Sequence, residues 1–210
     1  MGTRNLTMVI SNGQTKVAQY GQWDGYPSGV GLSLLSFLSN SELFNKFKNN
    51  LHKVRFLDRN GLDKEFIESY EKNAPEWSNE PDNRTPDQKE WWKTFMTRDL
   101  ADEVLVNIAN SELSEILIDN QTDFAADSLF CEWAYVVDLD KGTFEVYQGF
   151  NQTPLTETDR FYPLQASIKE REDKYYPVKL LASFDLNNLP SEDGFLAIDK
   201  EDDEEEDLPM

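Results

Sequence analysis

Near its start the chain alternates apolar and polar residues, which predicts strands rather than a helix. The apolar positions of this stretch are Leu6, Met8 and Ile10. A period of two places them on one face of a strand, and we expect that face to be buried and the other exposed. Residues 4–11 and 14–20 are therefore predicted as two strands. Asn12-Gly13 between them favours a type I′ turn, because both residues readily take positive φ.

From Leu32 onward the apolar residues recur every three or four positions, which predicts helices. Two short helices are expected first, and Ser41 is expected to cap the second of them. Their apolar positions are Leu34, Leu35, Leu38, Leu43, Phe44 and Phe47. Residues 61–72 are predicted as a further helix with an apolar stripe. That stripe consists of Leu62, Phe66 and Tyr70.

The next segment combines a linker with two more predicted helices. Prolines among polar residues mark 73–86 as a linker or a surface loop. A helix is predicted from Pro86 to about Phe95. Thr97 is predicted to cap the following helix, which ends near Asn110. The apolar stripe of that last helix is Leu100, Val104, Leu105 and Ile108.

The strand pattern returns in the last third of the chain. Residues 134–139 and 143–148 are predicted as a second hairpin around Asp140-Lys141-Gly142, and residues 176–185 as a further strand. The order of hairpin, helices, hairpin and strand predicts an α+β fold with an antiparallel sheet and packed helices.

We expect a single α+β domain over residues 1–199, with a helical insertion at about 32–110. The remaining residues, 200–210, contain seven consecutive acidic residues at 201–207. Adjacent like charges repel one another, so this tail is predicted to be disordered. It either solubilises the protein or mimics nucleic acid by occupying a basic groove of a partner.

The overall charge narrows the classes of partner. The 210 residues include 40 Asp and Glu against 20 Lys and Arg, which gives a net charge of −20. Because there is no surplus of Lys and Arg to contact phosphates, we expect no direct nucleic-acid binding. The charge also disfavours an anionic membrane. A basic protein surface is the most compatible partner, and a small molecule is the alternative.

Few residues suit metal binding or general acid–base catalysis. Cys131 and His52 are the only cysteine and histidine, so neither an intramolecular disulfide nor a Cys/His zinc cluster is expected. Cys131 is expected to be a small buried residue and His52 a surface residue. The sequence contains no EF-hand, Walker A or Gly-x-Gly-x-x-Gly spacing, and we expect no metal and no cofactor. The N-terminal stretch has no apolar run long enough for a signal peptide, which predicts a cytosolic protein.

A two-residue turn at Asn12-Gly13 has a consequence for the start of the chain. With no irregularity in the hairpin, the residues before the first strand lie opposite those after the second. The predicted pairs are Arg4 with Gly21, Thr3 with Gln22 and Gly2 with Trp23. The first residues are therefore expected to lie against the loop at 22–29.

This juxtaposition has three interpretations. In the simplest, Arg4 and Asp24 form a salt bridge that closes the hairpin. In the second, the loop binds a ligand between aromatic faces and polar anchors. The residues of this candidate ligand site are Arg4, Gln22, Trp23, Asp24, Tyr26 and Ser28. In the third, the site is that of an N-terminal nucleophile hydrolase, in which a free α-amine acts as the base. Its catalytic candidates are Thr3 and Asp24.

Three segments resemble a family of bacterial and phage proteins that has no assigned activity. They are MGTRNLT, AQYGQWDGYPSGVG and FCEWAYVVDL. Members of that family open with Met-Gly-Thr-Arg or Met-Cys-Thr-Arg and carry a similar loop before the first helix. The resemblance implies a bacterial or phage setting and adds no chemistry.

The Met-Cys-Thr-Arg members also resemble choloylglycine-type N-terminal nucleophile hydrolases, which implies a possible sandwich fold of that kind. In those enzymes the catalytic Cys follows Met, a place that Gly2 occupies here without a nucleophile. Asp24 falls near the place of their Asp, their Arg has no counterpart before Gln22, and Thr3 is one residue too late. The leading hypothesis is therefore an acidic binding protein without catalysis. The alternative is an amidohydrolase acting on C–N bonds or another enzyme that processes small molecules.

Overall fold

The computed structural model describes residues 2–72, 85, 100–168 and 175–199. The predictions made for the linker, apart from Thr85, lie outside these residues. So do those made for the helix at 86–95, for the Thr97 cap and for the acidic tail.

The predicted N-terminal hairpin is confirmed. Its strands are β1 (Asn5–Ser11) and β2 (Gln14–Gly21). Asn12 and Gly13 both have positive φ, 55° and 69° respectively, as a type I′ turn requires. The carboxylate of Asp140 accepts hydrogen bonds from the backbone N–H groups of Asn12 and Gly13, at 2.8 and 2.7 Å. The Asp140 carboxylate therefore stabilises the turn in addition to the backbone conformation of the turn itself.

A β-bulge between Val9 and Ile10 shifts the hairpin register by one residue. Pairing next to the turn follows the prediction, but beyond the bulge each residue of β1 meets the next residue along β2. Asn5, rather than Arg4, therefore pairs with Gly21. The predicted register of the first residues is wrong by one position, because an alternating pattern does not reveal where a bulge lies.

The strands form one five-stranded sheet and one small pair. The remaining strands are β3 (Val54–Phe56), β4 (Ile116–Ile118), β5 (Trp133–Asp138), β6 (Thr143–Gln148) and β7 (Lys179–Asp185). The large sheet has the order β2-β1-β5-β6-β7, and β3 pairs with β4. The α+β class is confirmed. The β1–β5 and β3–β4 pairs are parallel, so the sheet is mixed rather than wholly antiparallel, because the long helical connection lets β5 run in the same direction as β1. The N-terminal-nucleophile-hydrolase-like sandwich stays a prediction.

Five α-helices are described. They are α1 (Leu32–Ser39), α2 (Ser41–Asn50), α3 (Lys64–Lys72), α4 (Glu103–Asn110) and α5 (Glu192–Leu196). The apolar positions predicted for α1 and α4 are buried as expected. Within the described ranges, every helix is too short or too polar to cross a lipid bilayer.

Two details of the helices differ from the sequence-based predictions. The cap of α2 is Asn40, not Ser41, because the Asn40 side chain accepts the hydrogen bond from the Leu43 N–H at 3.1 Å. Two of the positions predicted for the stripe of the third helix are also wrong, since Leu62 and Phe66 are 89% and 44% exposed and Ile67 is buried instead. The side chain of Tyr70, the third position, lies outside what the structure describes. Asp63 lies four residues before Ile67, on the same side of the helix, and its buried carboxylate pairs with Arg55 at 2.6 Å. This ion pair places the side that carries Ile67 against the protein.

The five-stranded sheet is covered on both faces. Helices α1, α2, α4 and α5 pack on one face, where the core includes Leu34, Phe47, Leu105, Tyr135, Phe144 and Phe195. Two 3₁₀ segments, Thr122–Ala126 and Tyr162–Ile168, pack on the other face, around Leu6, Met8, Ala134, Val136 and Phe161. The expectation that β1 has one exposed face is therefore wrong, because helices cover one face of the sheet, the 3₁₀ segments cover the other, and β1 contributes to both clusters.

Candidate functional site

The loop after β2 is tied to the start of the chain. The Gly25 N–H donates to the Thr3 carbonyl at 3.0 Å, and the Asn5 side chain donates to the Trp23 carbonyl at 3.2 Å. The Tyr135 hydroxyl donates to the Gly25 carbonyl at 2.7 Å. The first residues therefore lie against the loop, as predicted, although the register that brings them there differs.

A tight turn then returns the chain into α1. Asp24 has a positive φ of 53°, a conformation that Asp and Asn tolerate better than most residues. Its carbonyl accepts from the Val30 N–H at 2.8 Å. A Cβ at position 29 would lie 2.2 Å from the Asp24 carbonyl oxygen, so only glycine fits there. This turn, Pro27–Gly31, fixes Asp24 beside the first helix.

A cavity of about 350 Å³ opens between this turn and the start of α4. We call it the acidic cavity. Its lining residues are Trp23, Asp24, Gly29, Val30, Ser33, Leu100, Ala101, Asp102 and Glu103. Trp23 is 60% exposed. All the charged residues in this lining are carboxylates, so within the described residues the cavity combines an aromatic wall with negative charge only.

Asp102 is the most buried of the three carboxylates that line the acidic cavity. Burial raises its pKa, and the hydrogen bond from the Ser33 hydroxyl partly opposes that rise. Taking a carboxylate out of water disfavours its charged form unless a cation or donors compensate. A cation placed in this cavity would therefore favour the ionised form of Asp102.

Arg4 lies in a different place from the one predicted. Its guanidinium carbon is 4.7 Å from the centroid of the Phe130 ring, and no ion pair joins it to Asp24 within the described residues. The predicted Arg4–Asp24 salt bridge is wrong. Arg4 is anchored to the β5 side through its backbone, since its N–H donates to Glu132 and its carbonyl accepts from the Glu132 N–H.

Arg4 lines a second cavity of about 620 Å³, which we call the arginine cavity. The other lining residues are Tyr20, Asn120, Gln121, Phe124, Asp127 and Phe130. The two cavities share no lining residue. The structure thus divides the predicted ligand site between two places near the same end of the hairpin.

The remaining predicted site residues line neither of these two cavities. Three of them lie in the loop itself, and Thr3 lies at the start of the chain. The Gln22 side chain accepts a hydrogen bond from the Tyr20 hydroxyl. Tyr26 and Ser28 are exposed, whereas Thr3 is only 5% exposed. Of the two catalytic candidates, Asp24 lines the acidic cavity and Thr3 lines neither of the two cavities described above, and the hydrolase alternative stays a prediction.

A buried charged network, which the sequence does not reveal, lies at the opposite end of the sheet. Arg160 contacts Asp138 at 2.6 Å and Glu145 at 2.8 Å, and the Tyr147 hydroxyl donates to Glu145 at 2.6 Å. We call this the Arg160 network. Burial opposes ionisation of both carboxyls, but the Arg160 guanidinium and neighbouring donors outweigh it and lower the pKa of each. Arg160 follows Glu145 by 15 residues and Asp138 by 22, and the network has no recognised spacing motif. The only sequence signal is a polar residue at a strand position that faces the core.

The single histidine and the single cysteine do not contribute to either cavity. Cys131 is fully buried, which confirms the expectation, and burial raises the pKa of its thiol well above the usual value. His52 is exposed, with a ring nitrogen 2.7 Å from the Asn49 carbonyl oxygen. The part of the chain that the structure describes contains no group of three His, Cys, Asp or Glu residues placed to hold a metal ion.

Comparison of the chain with protein families, with curated proteins and with solved structures finds no match. The resemblance to a bacterial and phage family therefore stays a prediction.

Proposed function

We propose that this protein is a binding protein that recognises a cationic side chain, Lys or Arg, of a basic protein partner in the acidic cavity. The observation that carries the proposal is the lining of that cavity, in which an exposed tryptophan lies beside three carboxylates and, among the residues that the structure describes, no basic side chain. Aromatic faces attract cations through their quadrupole, and carboxylates add direct charge attraction. This combination favours a cation over an anion or a neutral group.

The charge of the whole chain supports the same class of partner. A net charge of −20 attracts a basic surface over a distance of about one Debye length, roughly 8 Å at physiological salt. Long-range attraction of this kind raises the association rate, while contacts in the cavity determine which group is held. The bacterial or phage setting and the cytosolic location expected from the sequence belong to this proposal.

Binding without catalysis is the form of the proposal that the site residues support best. Thr3, the candidate nucleophile, is almost fully buried and lines neither cavity. Asp24 lies at the acidic cavity, where a carboxylate serves as well for holding a cation as for acid–base chemistry.

The proposal is tested by titrating the protein with a short arginine-rich peptide and with the same peptide in which citrulline replaces each arginine. Citrulline keeps the shape of arginine and loses its charge. We expect binding of the arginine peptide that weakens with added salt, and markedly weaker binding of the citrulline peptide. Equal binding of the two peptides would contradict recognition of a cation.

Two single-charge variants separate the cavity from the overall charge. Asp24→Asn removes one negative charge from the cavity and suits the positive φ of this position. Asp193→Asn removes one negative charge from the exposed start of α5. We expect about a fivefold loss of affinity for Asp24→Asn, since an exposed charge pair contributes up to about 1 kcal/mol, and little change for Asp193→Asn. Equal losses of affinity in the two variants would show that peptide binding depends only on the net charge of the protein, and would contradict recognition in the cavity.

A further inference from the structure

Arg4 differs from the other arginines that the structure describes because its guanidinium group has no carboxylate partner among the described residues. Arg55 pairs with Asp63 and Glu115, Arg59 pairs with Asp119, and Arg160 pairs with Asp138 and Glu145. Acidic residues outnumber basic ones by two to one in this chain, so partners for a guanidinium are abundant. Arg4 is therefore an exception among the described arginines, and its surroundings show what its guanidinium contacts instead of a carboxylate.

The Arg4 guanidinium contacts an aromatic ring, but one of its nitrogen atoms lacks a hydrogen-bond acceptor. It lies over the Phe130 ring, and its Nε atom is buried without a hydrogen-bond partner. An unsatisfied buried donor costs free energy, and a charged donor costs more than a neutral one. Planar guanidinium groups are well suited to bidentate contacts with carboxylates. A ligand carboxylate in the arginine cavity would supply the negatively charged partner that the Arg4 guanidinium lacks among the described residues.

The rest of the arginine cavity has walls of two other kinds. Tyr20, Phe124 and Phe130 are aromatic, and the Tyr20 and Phe124 rings meet edge to face at 4.9 Å. Asp127 adds a carboxylate to the same lining, which would repel a simple anion but attract an ammonium group. The cavity therefore combines a cation, an anion and an apolar surface.

The walls are held in place by backbone contacts. The Gln121 N–H donates to the Ala18 carbonyl at 3.0 Å, which fixes the Thr122–Ala126 segment to the edge of β2. The N–H groups of Phe130 and Cys131 donate to the Asp127 carbonyl at 3.0 and 2.7 Å. The cavity volume of about 620 Å³ lies within the range of small-molecule sites, about 300–1,000 Å³.

We infer that the arginine cavity binds a free α-amino acid with a large apolar side chain. The ligand carboxylate contacts the Arg4 guanidinium, the ammonium group contacts Asp127, and the side chain packs among the aromatic walls. This site is separate from the acidic cavity, so it does not depend on the function proposed above.

The inference is tested by calorimetric titration of the full chain with each of the standard amino acids. We expect phenylalanine or another large apolar amino acid to bind with a Kd below about 1 mM. Phenethylamine, which lacks the carboxylate, and 3-phenylpropanoate, which lacks the amine, are expected to bind at least tenfold more weakly than phenylalanine. Failure of every amino acid to bind would overturn the inference.

Variants then assign the contacts. Arg4→Met keeps the apolar part of the side chain and the backbone contacts with Glu132, so the fold is expected to persist. It should remove at least tenfold of the affinity for phenylalanine and abolish the preference over phenethylamine. Lys141→Met, which removes a positive charge from the exposed turn between β5 and β6, is the matched control and should change neither. Amino-acid binding that survives Arg4→Met would overturn the assignment of the carboxylate to Arg4.

Discussion

The two ends of the five-stranded sheet use charged residues in opposite ways. At the end that holds the Asn12-Gly13 turn, Asp138 and Glu145 are paired with Arg160, and Asp140 accepts from two backbone N–H groups. At the other end, the Nε atom of the Arg4 guanidinium has no acceptor and Trp23 is largely exposed. The charged groups at the first end are paired within the protein, whereas at the second end the Arg4 guanidinium and the Trp23 ring each line a cavity.

This difference separates stability from recognition. A network in which each charge has a partner rigidifies the fold, while leaving one partner alone in the interior is costly. Unpaired charges and exposed aromatic rings contribute little to the folded chain and become favourable only when a ligand arrives. We therefore expect substitutions at the turn end to change the free energy of unfolding, and substitutions at the Trp23 end to change binding.

The largest effect is expected for Arg160→Ala. It leaves Asp138 and Glu145 buried without their cation and should lower the free energy of unfolding by about 3–5 kcal/mol, measured by urea denaturation. The control is Lys46→Ala, which removes an exposed pair with Glu42 and should cost about 0.5 kcal/mol or less. Peptide binding by folded Arg160→Ala should remain. A loss no larger than that of the control would contradict a structural role for the network.

Trp23→Ala is expected to show the reverse behaviour. Loss of the aromatic face should weaken binding of the arginine peptide about tenfold, or about 1.4 kcal/mol. The free energy of unfolding should change little, because more than half of the side chain is already exposed. Calorimetric titration and urea denaturation of the same preparation measure the two quantities. A variant that lost stability but kept its affinity would reverse the comparison.

Asp140→Ala should produce a smaller loss at the turn end. The carboxylate accepts two hydrogen bonds from the turn, but these are exposed and compete with water. We expect a loss of about 1 kcal/mol in the free energy of unfolding and no change in peptide affinity. Asp193→Asn serves as the control for the loss of one exposed negative charge. An unchanged unfolding free energy would mean that the turn needs no support from β5 and β6.

The smallest effect is expected on acidification and arises only below the ordinary carboxyl range. Asp138 and Glu145 have lowered pKa values in the folded protein, so folding favours their charged forms. Their contribution is fully present above about pH 4–5, the unfolded range, and is lost as pH falls through the lower folded values. The free energy of unfolding should therefore fall more steeply with acid in the parent protein than in Arg160→Ala. Parallel pH profiles would contradict this linkage.

Local features of the sequence anticipate local structure well. The Asn12-Gly13 turn, the burial along α1 and α4 and the approach of the first residues to the loop all follow from patterns a few residues long. The bulge at Val9 and the direction of β5 do not, because they depend on which segments meet in three dimensions. The Asn40 cap is local, but Asn40 and Ser41 are adjacent residues that both suit a helix cap, and the pattern does not choose between them.

The candidate site divides in the same way. Trp23 and Asp24 could be selected from the sequence, since turn residues and an exposed aromatic stand together there. Their neighbours Asp102 and Glu103 come from a helix far along the chain, and nothing in the sequence brings them to the loop. Arg4 was selected with the wrong partner, because a one-residue change in register alters what the start of a strand faces.

Contact between Trp23 and a cation is the central feature of the proposed binding site. The chain has five tryptophans, so the measurement is a two-dimensional NMR spectrum of their indole N–H groups, with the Trp23 signal assigned from a Trp23→Phe variant. Addition of the arginine-rich peptide at low salt should shift the Trp23 signal progressively to saturation, and the citrulline peptide should shift it far less. A Trp23 signal that does not move, or that moves equally with both peptides, would contradict the account.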